Sequence, residues 1–588
     1  MRALSHTLCI LLALARVSRA EPLAEPSVVR SSNGALTETL TVAEYEYATT
    51  TPTTVSFKTR GYFGSTETVP TTSTSTLKLG PTLRIKAGDR VSVNLVNALS
   101  ANADAVVMNT YHTPGTTNLH THGLHISSYD PLDNVLIKVE PGNSHQYVYD
   151  IASDHAAGTH WYHAHAHGST AIQVGGGMAG VIIVEDASDE IPSDVAAVTE
   201  KIVVLQYIQF ADVVTIASTA GMGETWTSTS TGTAGLSRFL VNGQYAPTIS
   251  LNQNEWTRLR TVFMSLDKAV KLSLGAAASS LGCEWKLLAK DGVYVDDAPR
   301  AMTNVYMGPG NRADILIRCS SAGTFTVDSV GGTNPNAPST TGVLNFDVVS
   351  SASTATALTT FTAKKPVYLA DIFAYTGTVE THSLTLAGAG GGPGGGPGGG
   401  PGGGPAGRRR LLQGGGGGAC LLNYDNAGAV SYTGNSLGNI DAGSVHTWTL
   451  GGANAHPLHI HINPFQLGTV VDATGDADSY FKQGDWHDVL FIPTGFTIPQ
   501  IHHHFADFEG KVVLHCHFLN HEDLGCMGYW TITGSNGTRA TGLSASALAT
   551  STTPPTTTPP ATPSAAKASN AVAAVVTMHV LCQLFCIM

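Results

Sequence analysis

The 588-residue chain has little charge and few cysteines. Only 13% of its residues are charged, and 43 acidic residues outnumber 31 basic ones, so the formal net charge is -12. An acidic chain with no basic face is not expected to bind nucleic acid. The eight cysteines include no Cys-x-x-Cys pair, the spacing typical of closed tetrahedral zinc sites. These absences argue against a nucleic-acid-binding protein and against structural zinc.

What the chain does contain is typical of an all-β extracellular protein. It is 42% hydrophobic and rich in Thr, Ser and Gly, and segments such as LRIKAGDRVSVNLVNAL alternate apolar and polar residues. This alternation recurs in three sets along the chain, and clusters of Gly, Pro, Asn and Asp separate its strands. We therefore expect three tandem β-sandwich domains, over residues 21–190, 191–355 and 356–540.

The two ends of the chain predict export. Residues 1–20 combine an early Arg2, an apolar run and small residues before Glu21, as in a cleaved signal peptide. Residues 541–570 form a Pro/Thr-rich stalk, and residues 571–588 form a hydrophobic tail of marginal length for a membrane span. That tail fits either a lipid-anchor signal, which would attach the protein to a membrane or cell wall, or a plain secreted tail. The sequence thus predicts a secreted or cell-surface protein.

A Gly/Pro-rich segment, residues 387–419, interrupts the third predicted domain. Its glycine pattern repeats every four residues, whereas collagen requires Gly at every third position. Strand-like sequence precedes and follows it, so we expect a flexible loop insertion. The arginines at 408–410 are either a solvated run within that loop or a processing or docking site.

The 24 histidines include four His-x-His pairs. In a β-strand, residues i and i+2 point to the same face, so each pair presents two imidazoles side by side as a metal chelate. The pairs are His120 and His122, His163 and His165, His459 and His461, and His515 and His517. Eight imidazoles in this pattern predict a metal centre.

The last pair encloses a cysteine, in the segment HCHFLNHEDLGCMGYW (515–530). Cys516 points away from its two histidine neighbours, so one strand can serve two separate metal sites. Its nearest partners in motif terms are His456 and His521. Two imidazoles and one thiolate with a weak axial ligand are typical of an electron-transferring blue copper site.

Together, the motifs NLHTHG, WYHAHAHG, HPLHIH and HCHFLNHEDLG resemble those of three-domain multicopper oxidases of the laccase and ferroxidase type. The resemblance runs from LRIKAGD to GYWTIT, nearly the whole chain between its two ends. It implies three tandem cupredoxin-like Greek-key β-sandwich domains and four copper ions: one type 1, one type 2 and two type 3. It also implies two substrates, O2 and a reducing small molecule or metal ion.

The resemblance assigns each ligand to a copper type. His120 and His459 would hold the type 2 copper. Six histidines would hold the type 3 pair: His122, His163, His165, His461, His515 and His517. The type 1 ligands would be His456, Cys516 and His521. Because the paired histidines come from the first and third domains, the trinuclear cluster should lie between those domains, with the second domain as a spacer.

A carboxylate that supplies protons for O2 reduction is also implied. Glu522 follows His521 in NHEDLG, at the position where bacterial relatives carry a proton-donating acid, and it is the candidate catalytic residue. The alternative for Glu522 is a solvated surface acid. An acid near Asp130 or Asp133, downstream of HTHG, is a second candidate for this role.

One position departs from the family pattern. Relatives with the HED signature usually carry Met ten residues after the copper cysteine, where this chain has Cys526 followed by Met527. Four cysteines remain once the signal peptide, the tail and the copper cysteine are set aside, and they allow three pairings. The pairing that stays within domains is Cys283 with Cys319 and Cys420 with Cys526. We therefore expect Met527, or no strong ligand, on the copper axis.

The reducing substrate is the least determined feature. Ferroxidases place carboxylates beside the type 1 histidines, whereas laccases present an apolar pocket to phenols. Acidic residues between the two type 1 motifs would suit a metal ion: Asp472, Asp476, Asp478, Asp485 and Asp488. A copper nitrite reductase would have two cupredoxin domains and too few paired histidines. A copper-storing or cell-wall structural glycoprotein would not need Cys516 inside a histidine pair.

Other histidines flank the motifs without occupying ligand positions. We expect them to support the ligands or lie at the surface, with delivery of substrate or metal as the alternative. They are His125, His160, His167, His502, His503 and His504.

Overall fold

The computed structural model of the protein describes residues 21–52, 54–102, 106–187, 190–219, 237–331, 337–388, 420–474 and 480–534. The predicted signal peptide (1–20), stalk (541–570) and tail (571–588) lie outside the described residues, as does most of the Gly/Pro-rich insertion, residues 389–419. Within the described ranges, no helix combines the length and the apolar character that crossing a bilayer requires.

The first pair of sheets is formed by nine strands: β1 (Val28–Arg30), β2 (Ala35–Thr49), β3 (Val55–Phe63), β4 (Thr82–Ile85), β5 (Arg90–Asn97), β6 (His120–His122), β7 (Ser144–Asp150), β8 (Gly158–His163) and β9 (Ala179–Val184). One sheet has the order β1-β4-β9-β8-β6 and the other β3-β2-β5-β7. Every second side chain of β5 is buried, as its alternating sequence predicts.

The second pair of sheets is formed by twelve strands: β10 (Thr199–Ile208), β11 (Arg238–Val241), β12 (Thr248–Asn252), β13 (Thr257–Ser265), β14 (Val270–Leu274), β15 (Cys283–Lys290), β16 (Val293–Tyr294), β17 (Arg300–Ala301), β18 (Asn304–Met307), β19 (Arg312–Cys319), β20 (Gly323–Ser329) and β21 (Thr340–Val349). One sheet has the order β11-β10-β13-β19-β15-β16, with β17 beside β15, and the other has the order β12-β21-β20-β14-β18. β13 and β19 pack against β8, which buries β8 on both faces.

The third set of sheets is formed by thirteen strands: β22 (Val379–Gly388), β23 (Cys420–Tyr424), β24 (Asn439–Asp441), β25 (Val445–Gly451), β26 (Leu458–Ile460), β27 (Phe465–Leu467), β28 (Val471–Asp472), β29 (Trp486–His487), β30 (Val489–Leu490), β31 (Phe496–Thr497), β32 (Gln500–His504), β33 (Gly510–Cys516) and β34 (Met527–Thr533). The two larger sheets have the orders β23-β22-β25-β32-β27-β29 and β24-β34-β33-β26-β30, and β28 pairs with β31.

The described helices are short: α1 (Thr170–Gly175), α2 (Ser193–Ala196), α3 (Phe210–Thr219), α4 (Ala276–Ser280), α5 (Leu519–Asp523) and two 3-10 turns, Val367–Leu369 and Ile372–Ala374. α1 of the first domain packs against α5 of the third. The Asp523 carboxylate of α5 accepts the backbone N–H groups of Gly168 at 2.6 Å and Ala171 at 2.8 Å. The predicted all-β fold is confirmed, and these contacts fix the first and third domains to each other.

Candidate metal centre

Two strand pairs, one in the first domain and one in the third, carry the four histidine motifs. β6 runs antiparallel to β8, so that His120 lies opposite His163. β26 runs antiparallel to β33, with His459 opposite His515. Neighbouring strands lie about 4.8 Å apart, so each strand pair brings two motifs within reach of one metal centre.

The two strand pairs face each other across the boundary between these domains. The imidazole of His120 stacks on that of His461 with ring centroids 4.1 Å apart, and His122 stacks on His459 at 3.9 Å. All eight paired histidines are at most 2% exposed. They form one buried group between the first and third domains, which we call the histidine cluster.

Within the histidine cluster, ligand atoms gather in groups of three, each group lying within 4.8 Å of one another. Such groups of cluster histidines include His122, His163 and His517; His165, His461 and His515; and His120, His122 and His459. The first two share no residue, so the cluster contains two separate histidine triples, with His120 and His459 beside them.

Hydrogen bonds orient several of these rings. His120 Nδ1 lies 2.8 Å from Asp133 Oδ2, and His459 Nδ1 lies 2.7 Å from the carbonyl oxygen of Asp488. Within the described residues, the Nε2 atoms of His120, His459 and His461 are buried without a hydrogen-bond partner in the protein. Because an unpaired buried nitrogen is costly, these three atoms fit the role of metal ligands.

Burial favours the neutral form of the imidazoles of His122, His163 and His515. Desolvation, and then repulsion from neighbouring imidazoles, lowers the pKa of His122 and of His163 well below 6.5. Burial lowers the pKa of His515 to about 3. Only a neutral imidazole offers a lone pair to a metal ion, so these side chains are in their ligating form at neutral pH.

A second site, the thiolate site, is formed by His456, Cys516 and His521. Cys516 Sγ lies 3.7 Å from His456 Nδ1 and 3.5 Å from His521 Nδ1, and the two nitrogens are 3.1 Å apart. The centre of this triangle is about 2 Å from each corner, close to the length of a transition-metal bond to nitrogen or sulfur. The three predicted type 1 ligands are therefore spaced for one metal ion.

The chemistry of the thiolate site also fits copper. Desolvation raises the pKa of the Cys516 thiol, because a buried thiolate would lack a compensating charge. A bound cation supplies that charge and deprotonates the thiol. One thiolate and two imidazoles are the donor set of blue copper sites.

Met527 lies on the wrong face of its strand to serve this site. Its side chain packs with Val135 and Val513. Val513 shares its face of β33 with His515, whereas Cys516 points to the opposite face. Since Met527 lies opposite His515 in the sheet, it points away from the thiolate site. The prediction that Met527 is a metal ligand is therefore corrected.

Both predicted disulfides are present. Cys283 is bonded to Cys319 and Cys420 to Cys526, with Cα atoms 3.9 Å and 5.2 Å apart. Among the described cysteines, Cys516 alone is free. Cys526 is therefore part of a disulfide and not a free thiolate.

Glu522 is buried inside the histidine cluster rather than at the surface. Its Oε1 lies 3.3 Å from His165 Nδ1, and its Oε2 lies 3.4 Å from His515 Nδ1. The Thr170 hydroxyl donates a hydrogen bond to Oε1 at 3.1 Å. Burial, together with the neighbouring Asp523, raises the pKa of Glu522 well above 4.5. Complete burial excludes the solvated surface acid, and Glu522 contacts two members of one histidine triple.

The structure also separates the two acids downstream of HTHG. Asp133 is buried, contacts His120 and accepts the Thr121 N–H at 2.8 Å. Asp130 is largely exposed and lies 3.1 Å from His145. Asp133 is therefore the acid that orients a cluster histidine.

The second domain is more than the expected spacer. Arg312 of β19 is buried and donates to the Asp488 carboxylate from Nη1 at 2.7 Å and from Nη2 at 2.5 Å. Asp488 Oδ1 in turn lies 3.2 Å from His122 Nε2. A Cβ at Gly310 would come within about 3 Å of the His517 ring. The backbone at Gly310 therefore packs directly against the His517 imidazole. Two of the cluster histidines are therefore held by second-domain residues that no sequence motif indicates.

The acids between the two type 1 motifs have other roles or lie outside the described residues. Asp485 is buried and binds Arg300 at 2.7 Å and Lys290 at 2.7 Å. Both carboxylate oxygens of Asp488 accept hydrogen bonds from Arg312. Exposed Asp472 accepts hydrogen bonds from Thr474, and residues 476 and 478 are not described. Asp485 and Asp488 are thus unavailable to bind a metal-ion substrate, contrary to the expectation.

The flanking histidines mostly have structural partners. His125 bonds the Ile462 carbonyl at 2.9 Å and lies 2.8 Å from Asp507. His167 Nε2 lies 3.2 Å from Asn109 Oδ1. His160 lies on β8 beside the cluster and is buried. His502, His503 and His504 lie on β32, where His503 and His504 are buried and His502 is partly exposed. His160 and His504 each have both ring nitrogens buried without a hydrogen-bond partner among the described residues.

Two family models, each described as multicopper oxidase, match the chain. They cover residues 62–189 and residues 420–535. Among curated proteins, multicopper oxidase mco of Staphylococcus epidermidis is 28% identical over 244 residues, which are 41% of this chain and 47% of that protein. The chain thus spans about half the length of the staphylococcal relatives it matches. Bilirubin oxidase of Albifimbria verrucaria is 22% identical over 476 residues, 77% of this chain and 71% of that protein.

Solved structures share the fold. The McoA multicopper oxidase 2F4 variant of Aquifex aeolicus matches with a TM-score of 0.61 at 19% identity, over 88% of this chain and 100% of that one. This likeness confirms the predicted cupredoxin-like fold. The two segments that match multicopper oxidase family models, residues 62–189 and 420–535, are the segments that build the histidine cluster and the thiolate site.

Proposed function

We propose that the protein is a copper-dependent oxidase that takes single electrons from a reducing substrate at the thiolate site and reduces O2 to water at the histidine cluster. The observation that carries this proposal is the position of three consecutive residues. Cys516 belongs to the thiolate site, while His515 and His517 belong to the two separate histidine triples. The sites are therefore joined by a short covalent path through the backbone of β33.

Copper would supply the redox chemistry, one ion at the thiolate site and three at the cluster. The type 3 ligands would be the two triples, and His120 and His459 would hold the type 2 ion. Because one thiolate site and three adjacent cluster positions make four ions, the fully loaded protein should contain four copper ions per chain.

Glu522 is proposed to hold and release protons at the cluster. It is buried and touches His165 and His515, so it can pass a proton to a group bound between them without reorganising. The Thr170 hydroxyl fixes the carboxyl orientation by donating to Oε1.

Electrons are proposed to enter through the imidazoles of the thiolate site. His456 is 7% exposed and His521 is 9% exposed, whereas the cluster histidines are at most 2% exposed. Asp267 of the second domain approaches this edge, where it accepts a hydrogen bond from Asn520, the neighbour of His521, at 3.3 Å. A carboxylate at this place would serve a metal-ion substrate, while a phenol would not need it.

The proposal is tested by loading the purified protein with copper, counting the bound ions and measuring O2 consumption with Fe(II), Mn(II) and a phenol. We expect four copper ions and O2 uptake without release of hydrogen peroxide. An Asp267→Asn variant should raise the KM for a metal ion and leave the KM for a phenol unchanged. Copper binding with no O2 uptake from any of these reductants would instead support a copper-storing protein.

A further inference from the structure

The Cys420–Cys526 disulfide lies against the thiolate site. Cys526 immediately precedes β34, and its carbonyl oxygen accepts the backbone N–H of Cys516 at 3.0 Å. The two residues are therefore neighbours across the sheet. Cys420, at the start of β23, is 2% exposed, and Cys526 is fully buried. The disulfide thus belongs to the interior beside Cys516.

The Cys420 sulfur lies above the plane of the three predicted ligands. It is within 4.8 Å of the ligating atoms of His456, Cys516 and His521. Suppose instead that the sulfur lay in the plane of the three ligating atoms and outside the triangle. At a contact distance of about 3.5 Å from the two nearer atoms, it would be roughly 6 Å from the third. The measured limit excludes that position. The disulfide consequently occupies an axial side of the site.

The alternation of β33 and β34 supports the same placement. Met527 packs with Val513 and lies opposite His515, so side-chain alternation places its neighbour Cys526 on the other face, the one that Cys516 occupies. The residue ten positions after Cys516 therefore faces the site, as in the family pattern, but it carries a disulfide sulfur in place of a thioether.

We propose that the Cys420–Cys526 disulfide is the axial cap of the type 1 copper and sets its redox potential. This proposal rests on the copper assignment made above. A disulfide sulfur is a neutral and weak donor, so it leaves the copper with three strong ligands and favours the reduced ion. A free Cys526 thiolate would add negative charge beside the copper and stabilise the oxidised ion. The bond between the two cysteines withholds that thiolate.

The test compares four copper-loaded variants by visible absorption, electron paramagnetic resonance and midpoint potential. Cys420→Ala, which frees the Cys526 thiol, should weaken the blue absorption and lower the potential. Cys420→Ala combined with Cys526→Met should keep the blue absorption and lower the potential by a smaller amount. Removing the distant disulfide with Cys283→Ala and Cys319→Ala should change neither the blue absorption nor the potential. Met527→Leu should likewise leave the absorption and the potential unchanged.

Opposite outcomes would overturn the cap. A Cys420→Ala protein with wild-type absorption and potential, or a Met527→Leu protein with an altered spectrum, would show that the disulfide does not face the copper. If the variants fail to fold, the wild-type apoprotein can be unfolded in denaturant, alkylated without reduction and analysed by peptide mapping. Cys516 should be labelled and Cys526 should be found linked to Cys420, and a labelled Cys526 would overturn the proposal. If the wild-type protein loaded with copper shows no blue absorption, the copper assignment itself fails. That result differs from failure of the disulfide cap, in which the wild-type protein is blue but the variants do not change as expected.

Discussion

Cys516 has a chemical role that no neighbouring side chain duplicates. It supplies the one free thiol among the described residues, at the corner of a triangle whose other corners are imidazoles of His456 and His521. A serine hydroxyl is too weakly acidic and too hard a donor to replace a thiolate on copper.

We therefore expect Cys516→Ser to lose the blue absorption and substrate turnover while the fold survives. The change removes one sulfur and adds no volume, so the melting temperature of the apoprotein should change little. Absorption spectroscopy, turnover assays and circular dichroism would check this. A blue and active Cys516→Ser protein would contradict the assignment of the thiolate site.

Glu522 should affect only the O2 half of the reaction. We expect Glu522→Gln to slow O2 reduction by about a hundredfold or more, since general acid catalysis typically contributes 10²–10⁴-fold. Reduction of the thiolate site by substrate should keep its rate, because Glu522 contacts His165 and His515 and not the thiolate-site ligands.

Anaerobic stopped-flow reduction, followed by mixing with O2, separates these two rates. The matched control is Asp130→Asn, which changes an exposed acid downstream of HTHG and should leave both rates unaltered. An unchanged rate of reoxidation in Glu522→Gln would mean that another group supplies the protons.

At the scale of elements, β33 and β19 determine how the sites are arranged. β33 directs His515 and Cys516 to opposite faces, so one strand contributes to both sites. β19 belongs to the second domain, yet it begins with Arg312, which clamps the carboxylate that contacts His122.

We expect Arg312→Met to destabilise the protein by about 3–5 kcal/mol, the usual cost of leaving one partner of a buried ion pair uncompensated. It should also reduce the copper bound at the histidine cluster, because Asp488 would no longer be fixed against His122. Copper analysis, with the blue absorption as a separate measure of the thiolate site, would detect a selective loss.

Arg300→Met is the matched control for that change. Arg300 also binds a buried carboxylate between the second and third domains, Asp485, but Asp485 keeps Lys290 as a partner and touches no cluster histidine. The control should lower stability without lowering the copper content. Equal copper loss in both variants would mean that Arg312 acts through general stability alone.

At the scale of the whole molecule, the histidine cluster links the first and third domains. Its histidines lie on or directly after β6 and β8 on one side and β26 and β33 on the other. A metal ion bound by both sides stabilises the native state in proportion to its affinity, and it holds the two domains together.

Removal of copper should therefore loosen this boundary and leave the second domain intact. We expect hydrogen exchange to increase at β6, β8, β26 and β33 in the apoprotein, while β14 and β20 keep their protection. Mass spectrometry of exchanged peptides from loaded and stripped protein would check this. A uniform increase over all three domains would point to global destabilisation instead.

The sequence by itself determined which histidines share a strand face and which residue lies between them. A β-strand repeats every two residues, so His-x-His spacing alone places two imidazoles on one face, and the residue between them, Cys516, on the other. The same local rule predicted the all-β fold from alternating segments, and the number of cysteines together with the predicted domain bounds predicted both disulfides. Each of these inferences needs only neighbouring residues or their number.

Only the tertiary structure decided how those residues combine. The division of the six remaining cluster histidines into two triples depends on how strands more than 300 residues apart in sequence face each other, as in the approach of His165 to His515. The burial of Glu522, the choice of Asp133 over Asp130 and the clamp from Arg312 depend on domain packing in the same way. Met527 was misassigned because counting along the chain does not give the sheet register, and register decides which face of a strand a side chain occupies.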